Sequence, residues 1–231
     1  MSDPVEWMHA GERFFRHEAA RATADLGTPS LLPGWSRAHV LAHLIGSSEA
    51  LGNLLQWART GIETPMYASV EGRAADIERR AALPPAELIA AVSTASDELL
   101  ATVDNLPTEA WEATVRTVQG RTIPAAEMPW MRCRESWIHG VDLACGAWFD
   151  EFPEALVDAL LDDVTAKLAE RDSCPGVVLA PVDRDRMWPF GGPDPATVRG
   201  TAGDLLGWLL GRPVRPDSTL DADRPELPRW L

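Results

Sequence analysis

The stretch Trp130-Met131-Arg132-Cys133-Arg134-Glu135-Ser136-Trp137-Ile138-His139-Gly140-Val141-Asp142-Leu143 decides how the chain is read. It lies in a segment that Pro124 introduces and whose pattern predicts a helix from roughly Ala125 to Trp148. At about 100° per residue, Glu135 and His139 share one face of that helix, one turn apart. Carboxylates and imidazoles on facing helices are the parts from which sites inside helix bundles are built.

Three further long helices are predicted around it. The apolar set Trp7, Met8, Phe14, Phe15, Ala19 and Ala22 has helical spacing from Val5 to about Leu26, and Gly27 and Pro29 end it. Leu32-Pro33-Gly34-Trp35-Ser36 is a turn closing on an N-cap serine, and a helix follows from about Arg37 to Ala58. Pro84-Pro85 opens a helix through Val103, with Leu88, Val92, Ala95 and Leu99 on one stripe. A short polar helix is expected near Val70 to Ala82, and Gln119-Gly120-Arg121-Thr122 has the composition of a tight turn. After Asp150 the texture changes. A helix near Pro153 to Arg171 precedes short strand-like pieces at Val177–Ala180, Arg186–Pro189 and Ala196–Gly200, then a last helix from Ala202 to Leu210. The expected fold is mainly α with a smaller α+β part: a four-helix bundle over 1–150 and a C-terminal α+β domain over 151–231.

Composition narrows the function. The 231 residues are 45% hydrophobic and 24% charged, close to the globular average. The formal net charge of −14 makes nucleic acid and anionic membranes poor partners, and an anionic substrate would have to be drawn in by local arginines. No apolar run is long enough to span a bilayer, and the first residues carry no secretory pattern. Cys133, Cys145 and Cys174 are odd in number and lack CxxC spacing, so they form no disulfide framework or thiolate metal site, and a reducing cytoplasm is expected. Cys133 and Cys145 are out of step with the Glu135–His139 face and read as packing residues.

Five histidines are present, and His39 and His43 repeat the four-residue spacing on the second long helix. Two imidazoles and one carboxylate are a catalytic zinc set that leaves one position open. An isolated Glu–His pair is commonly only an ion-paired surface, whereas a second helix bearing His-x-x-x-His strengthens the metal reading. Counting residues does not choose between His39 and His43. Arg132 and Asp142 fall near the Glu135–His139 face, where they would support the site or satisfy one another. His9 and His17 lack such a pairing and read as surface or packing residues.

These motifs, with Gly34-Trp35-Ser36-Arg37-Ala38-His39-Val40-Leu41-Ala42-His43, Glu63-Thr64-Pro65-Met66-Tyr67, Gln119-Gly120-Arg121-Thr122-Ile123-Pro124, Gly211-Arg212 and the terminal Pro228-Arg229-Trp230-Leu231, resemble the mycothiol-dependent maleylpyruvate isomerases. The helical half resembles the DinB-like metal-binding bundle. That resemblance implies a divalent metal, zinc, on His43, Glu135 and His139, with His39 a neighbour. It implies that the C-terminal domain contributes to the active site through a catalytic Arg212, and that Arg73 binds a substrate carboxylate. It implies mycothiol as thiol cofactor and maleylpyruvate as substrate. Thiolate addition to the cis alkene frees the bond to rotate, and elimination leaves fumarylpyruvate. Arginine suits a bidentate grip on carboxylate or enolate oxygens. Two rival readings are a mycothiol S-transferase of the same superfamily, which would stop at the adduct, and a non-catalytic metal-binding bundle.

Overall fold

The computed structural model describes residues 3–23 and 25–230. Met1, Ser2, Ala24 and Leu231, the last in the terminal motif quoted above, lie outside the described residues. The chain divides into two compact units, 1–146 and 147–231.

In the first unit, α1 (Pro4–Ala22) starts where the Asp3 side chain accepts the Val5 N–H and proline occupies the first turn. It stops short of the expected Leu26, because the Asp25 carboxylate takes the Gly27 N–H and the Thr28 hydroxyl in a local turn. α2 (Arg37–Thr60) begins at Ser36 and ends on left-handed Gly61. α3 (Val70–Ala81) is capped by Ser69 and buries only Ile77. α4 (Pro85–Asp104) turns Leu88, Val92, Ala95, Leu99 and Val103 into the core, as their spacing predicts. The strands β1 (Thr114–Arg116) and β2 (Thr122–Pro124) form an antiparallel hairpin with Val115 opposite Ile123. The sequence shows its tight turn, but three-residue strands are too short to display alternation.

α5 (Met128–Asp142) is shorter than expected at both ends. Residues Ala125–Glu127 form a 3₁₀ turn. Beyond Asp142, Ala144 takes a left-handed backbone, and Arg37 donates to the carbonyls of Leu143 and Ala144 at 2.7 and 2.8 Å. Helices α1, α2, α4 and α5 form the bundle, with α3 packed on α2. α1 and α5 approach closely: a Cβ on Gly140 would overlap the Phe14 ring, and one on Gly11 the Trp137 indole. In the space those glycines leave, Phe14 stacks on Trp137 with centroids 4.8 Å apart.

The second unit contains α6 (Glu154–Ala169), β3 (Val177–Pro181), β4 (Trp188–Phe190), β5 (Ala196–Gly200) and α7 (Ala202–Leu209). The sheet order is β4-β3-β5, with β3 antiparallel to β4 and parallel to β5. Its buried Asp204 accepts from the Trp148 indole, Arg215 and the Ser218 hydroxyl, which ties the irregular tail to the start of α7. Among the described residues, no helix is long and apolar enough to cross a membrane.

Candidate metal centre

His43 is carried by α2, and Glu135 and His139 by successive turns of α5. His43 Nε2 lies 2.9 Å from Glu135 Oε2, and His139 Nε2 lies 3.4 Å from the same oxygen. The two imidazoles meet edge to face, with centroids 4.8 Å apart. One donor atom from each of the three residues falls within 4.8 Å of the other two. Donors bonded tetrahedrally to one zinc ion at roughly 2.0–2.1 Å would stand about 3.3 Å apart. The two separations from Glu135 Oε2, 2.9 and 3.4 Å, bracket that spacing, and two imidazoles with one carboxylate are chemically suited to such an ion.

Electrostatics shift the two imidazoles in opposite directions. Burial pushes the His43 imidazole down, against the pull of Glu135, which favours the neutral ring that a metal needs. Burial would raise Glu135, but hydrogen bonds from His139 and His43 hold its carboxyl well below the usual range. Burial would also lower His139, yet Asp142 and Glu135 accept its protons and hold it up at about 9. Asp142 is fully buried, and its Oδ2 lies 2.8 Å from His139 Nδ1. With Nδ1 engaged there, Nε2 is the nitrogen left facing Glu135, the usual device for orienting a ligating histidine.

The other candidates separate by position. His39 is on the same helix face as His43, but its Nδ1 accepts the Ser36 N–H at 3.2 Å and meets the Ser36 hydroxyl at 2.7 Å, closing the cap of α2. Arg73, on α3, reaches the site: its Nη2 donates to His43 Nδ1 at 3.1 Å, and its guanidinium lies 5.6 Å from the centre of the Tyr67 ring. A cavity of about 240 Å³ opens beside His43, with Arg73, Tyr67, Met66 and Asn53 in its walls. Arg132 turns away from the three donors into the bundle core, where it pairs with Glu12. His9 pairs with Asp104, and His17 is exposed. Cys133 is buried, and burial pushes its thiol up to about 12.

Arg212 belongs to the second unit. Gly211, with φ of 73°, closes α7 in a Schellman motif: Gly211 N–H bonds to Trp208 O and Arg212 N–H to Gly207 O, both at 2.9 Å. The dipeptide Gly211-Arg212 thus fixes where the arginine leaves the helix.

Residue patterning alone missed two side chains. Trp35 packs its ring 5.6 Å from that of His43 and 6.3 Å from that of His39; its place in the turn before α2 was the available signal. Glu12 is a carboxylate standing in the apolar stripe between Met8 and Phe15, a signal that could have marked it.

The profile of the mycothiol maleylpyruvate isomerase N-terminal domain matches residues 7–144, and that of the MDMPI C-terminal domain matches residues 151–229. No curated protein matches the chain. Among solved structures, the mycothiol-dependent maleylpyruvate isomerase is similar, with a TM-score of 0.91 at 34% identity over 98% of this chain and 95% of that one. A histidine-to-alanine mutant of such an isomerase is similar at 33% identity, with the same TM-score and coverage. With both halves matched and a full-length relative above 30% identity, the chain belongs to the mycothiol maleylpyruvate isomerase family.

Proposed function

We propose that this protein is a mycothiol-dependent cis–trans isomerase that converts maleylpyruvate to fumarylpyruvate, with a divalent metal, zinc, held by His43, Glu135 and His139. The observation that carries this reading is a converged two-imidazole, one-carboxylate cluster in a chain similar over 98% of its length to a mycothiol-dependent maleylpyruvate isomerase. Bound at these donors, such a metal and the thiol of mycothiol would together supply a thiolate nucleophile near neutral pH.

The chain's own residues do the rest. Asp142 keeps the His139 ring turned toward Glu135, and the capped start of α2 keeps His43 opposite. Arg73, in the wall of the cavity beside His43, offers its planar fork to a substrate carboxylate. The role of Arg212 rests on the family resemblance of Gly211-Arg212, and its planar fork would suit a carboxylate or enolate oxygen. The cysteines do not replace the external thiol: burial raises Cys133, Cys145 and Cys174 alike, which disfavours their thiolates. The three free cysteines support a cytoplasmic setting, and the charge of −14 argues against a nucleic-acid partner.

A single assay tests the reading. Maleylpyruvate is mixed with the protein, with and without mycothiol and with and without a chelator, while fumarylpyruvate is followed. Turnover that needs mycothiol without consuming it, and that stops on chelation, is expected. Net loss of mycothiol as an adduct would make the protein an S-transferase, and binding of metal with no thiol affinity would leave a non-catalytic bundle.

A further inference from the structure

Glu12 on α1 is buried to 1% exposure and takes four hydrogen bonds on its carboxylate. Oε1 accepts from Arg132 Nε at 2.6 Å and from the Ser136 hydroxyl. Oε2 accepts from Arg132 Nη2 at 3.2 Å and from the Ser96 hydroxyl. Arg132, equally buried, sends Nη1 to the backbone carbonyl of Leu44 at 3.1 Å. One ion pair therefore joins all four helices of the bundle: α1 through Glu12, α2 through Leu44, α4 through Ser96, and α5 through Arg132 and Ser136.

The attachment points are adjacent to the metal site. Leu44 follows His43, Ser136 follows Glu135, and Arg132 precedes Glu135 by three residues, just under one turn. A buried ion pair is a poor source of stability, because removing two charges from water offsets most of their attraction; its best-attested use is to specify register. Sliding α5 along α2 by one residue would displace it by about 1.5 Å. That shift would break the bond to Leu44, and it exceeds the few tenths of an ångström that metal bonds tolerate.

We propose that Glu12, acting through Arg132, is a positioning residue that sets the register of α5 against α2 and so holds Glu135 and His139 at metal-binding distance from His43. The inference rests on the reading of those three residues as metal ligands.

The test uses the full chain with two variants. Glu12→Leu/Arg132→Met replaces the pair with apolar side chains of similar size, which commonly leaves folding intact. Arg132→Lys keeps the charge balance but replaces the planar fork with a point charge. Zinc affinity is measured by competition with a chromogenic chelator, and thermal unfolding is measured on chelated protein. The expected result is an affinity about 10–100-fold weaker in both variants, the range found when a residue that orients a ligand is lost, while the chelated double variant unfolds no earlier than the parent. Parent-like zinc affinity in either folded variant overturns the inference and leaves the metal reading standing. A loss of affinity matched by an equal loss of thermal stability in both variants also overturns it, by reducing the pair to a general support of the fold. A parent protein that binds no zinc overturns the metal reading and this inference with it.

Discussion

His43 Nε2 and Glu135 Oε2 lie 2.9 Å apart, although 92 positions separate the two residues in the chain. No local rule brings them together. α2 and α5 must pack with the His43 face of one against the Glu135–His139 face of the other, and the contact then brings together two of the three candidate donors. Several consequences can be measured.

Removing a donor should empty the site. His43→Ala, Glu135→Ala and His139→Ala are each expected to weaken zinc binding by more than the ~10–100-fold typical of a residue that only orients a ligand. Elemental analysis of purified variants checks this. His39→Ala should keep its metal, losing only about 1 kcal/mol with the cap of α2. Retention of metal by His43→Ala and its loss from His39→Ala would reverse the choice of histidine.

The cysteines should be dispensable for chemistry. Cys133→Ala, Cys145→Ala and Cys174→Ala are expected to keep turnover when mycothiol is supplied. Burial pushes Cys133 up to about 12, so almost none of it is thiolate at neutral pH. A folded, metal-loaded cysteine variant without turnover would point to a nucleophile carried by the protein.

Arg212 is expected to act on the reaction and not on the metal. Its backbone N–H closes the Schellman motif of α7 whatever the side chain, so Arg212→Ala should fold normally. The loss of a charged donor to developing negative charge typically costs about 3–4 kcal/mol, on the order of a hundredfold or more in rate. Arg212→Lys should also be impaired, because the fork is lost. Steady-state kinetics with parallel metal analysis decides; near-normal turnover would make the residue a solvated helix-end cation.

Acid should weaken the bundle through Glu12. Burial alone would raise its pKa, but Arg132, Ser136 and Ser96 hold it below its ordinary value of 4.5. A carboxylate depressed on folding contributes stability that is fully present above pH 4.5 and is lost as pH falls through the lower folded value. The thermal midpoint of chelated protein should therefore drop as pH is taken below about 4.5, and each ~1 kcal/mol lost corresponds to roughly 2–4 °C in a chain of this size. In Glu12→Leu/Arg132→Met the drop should be shallower. An identical acid profile in both proteins would show that other carboxylates control it.

What the sequence alone determined here is local. Periodicity and caps placed seven helices, five of them within two residues of their observed bounds while α1 and α5 were expected too long, and the four-residue spacing put Glu135 and His139 on one face, because neighbours along a helix are set by 3.6 residues per turn. The same rule left His39 and His43 equivalent, and only resemblance to a family separated them. Packing supplies the physical distinction: the His39 ring closes the cap on Ser36, while His43, one turn further along α2, meets α5. Tertiary structure alone likewise decided that Arg132 would pair with Glu12, 120 positions away, and that Arg37 would hold the final carbonyls of the α5 segment and cut short a helix expected to reach Trp148. Helical periodicity fixes angles about a single axis and says nothing of which helix lies opposite; that choice belongs to the whole core, where every buried charge must find its partner in the one arrangement that also fills the space.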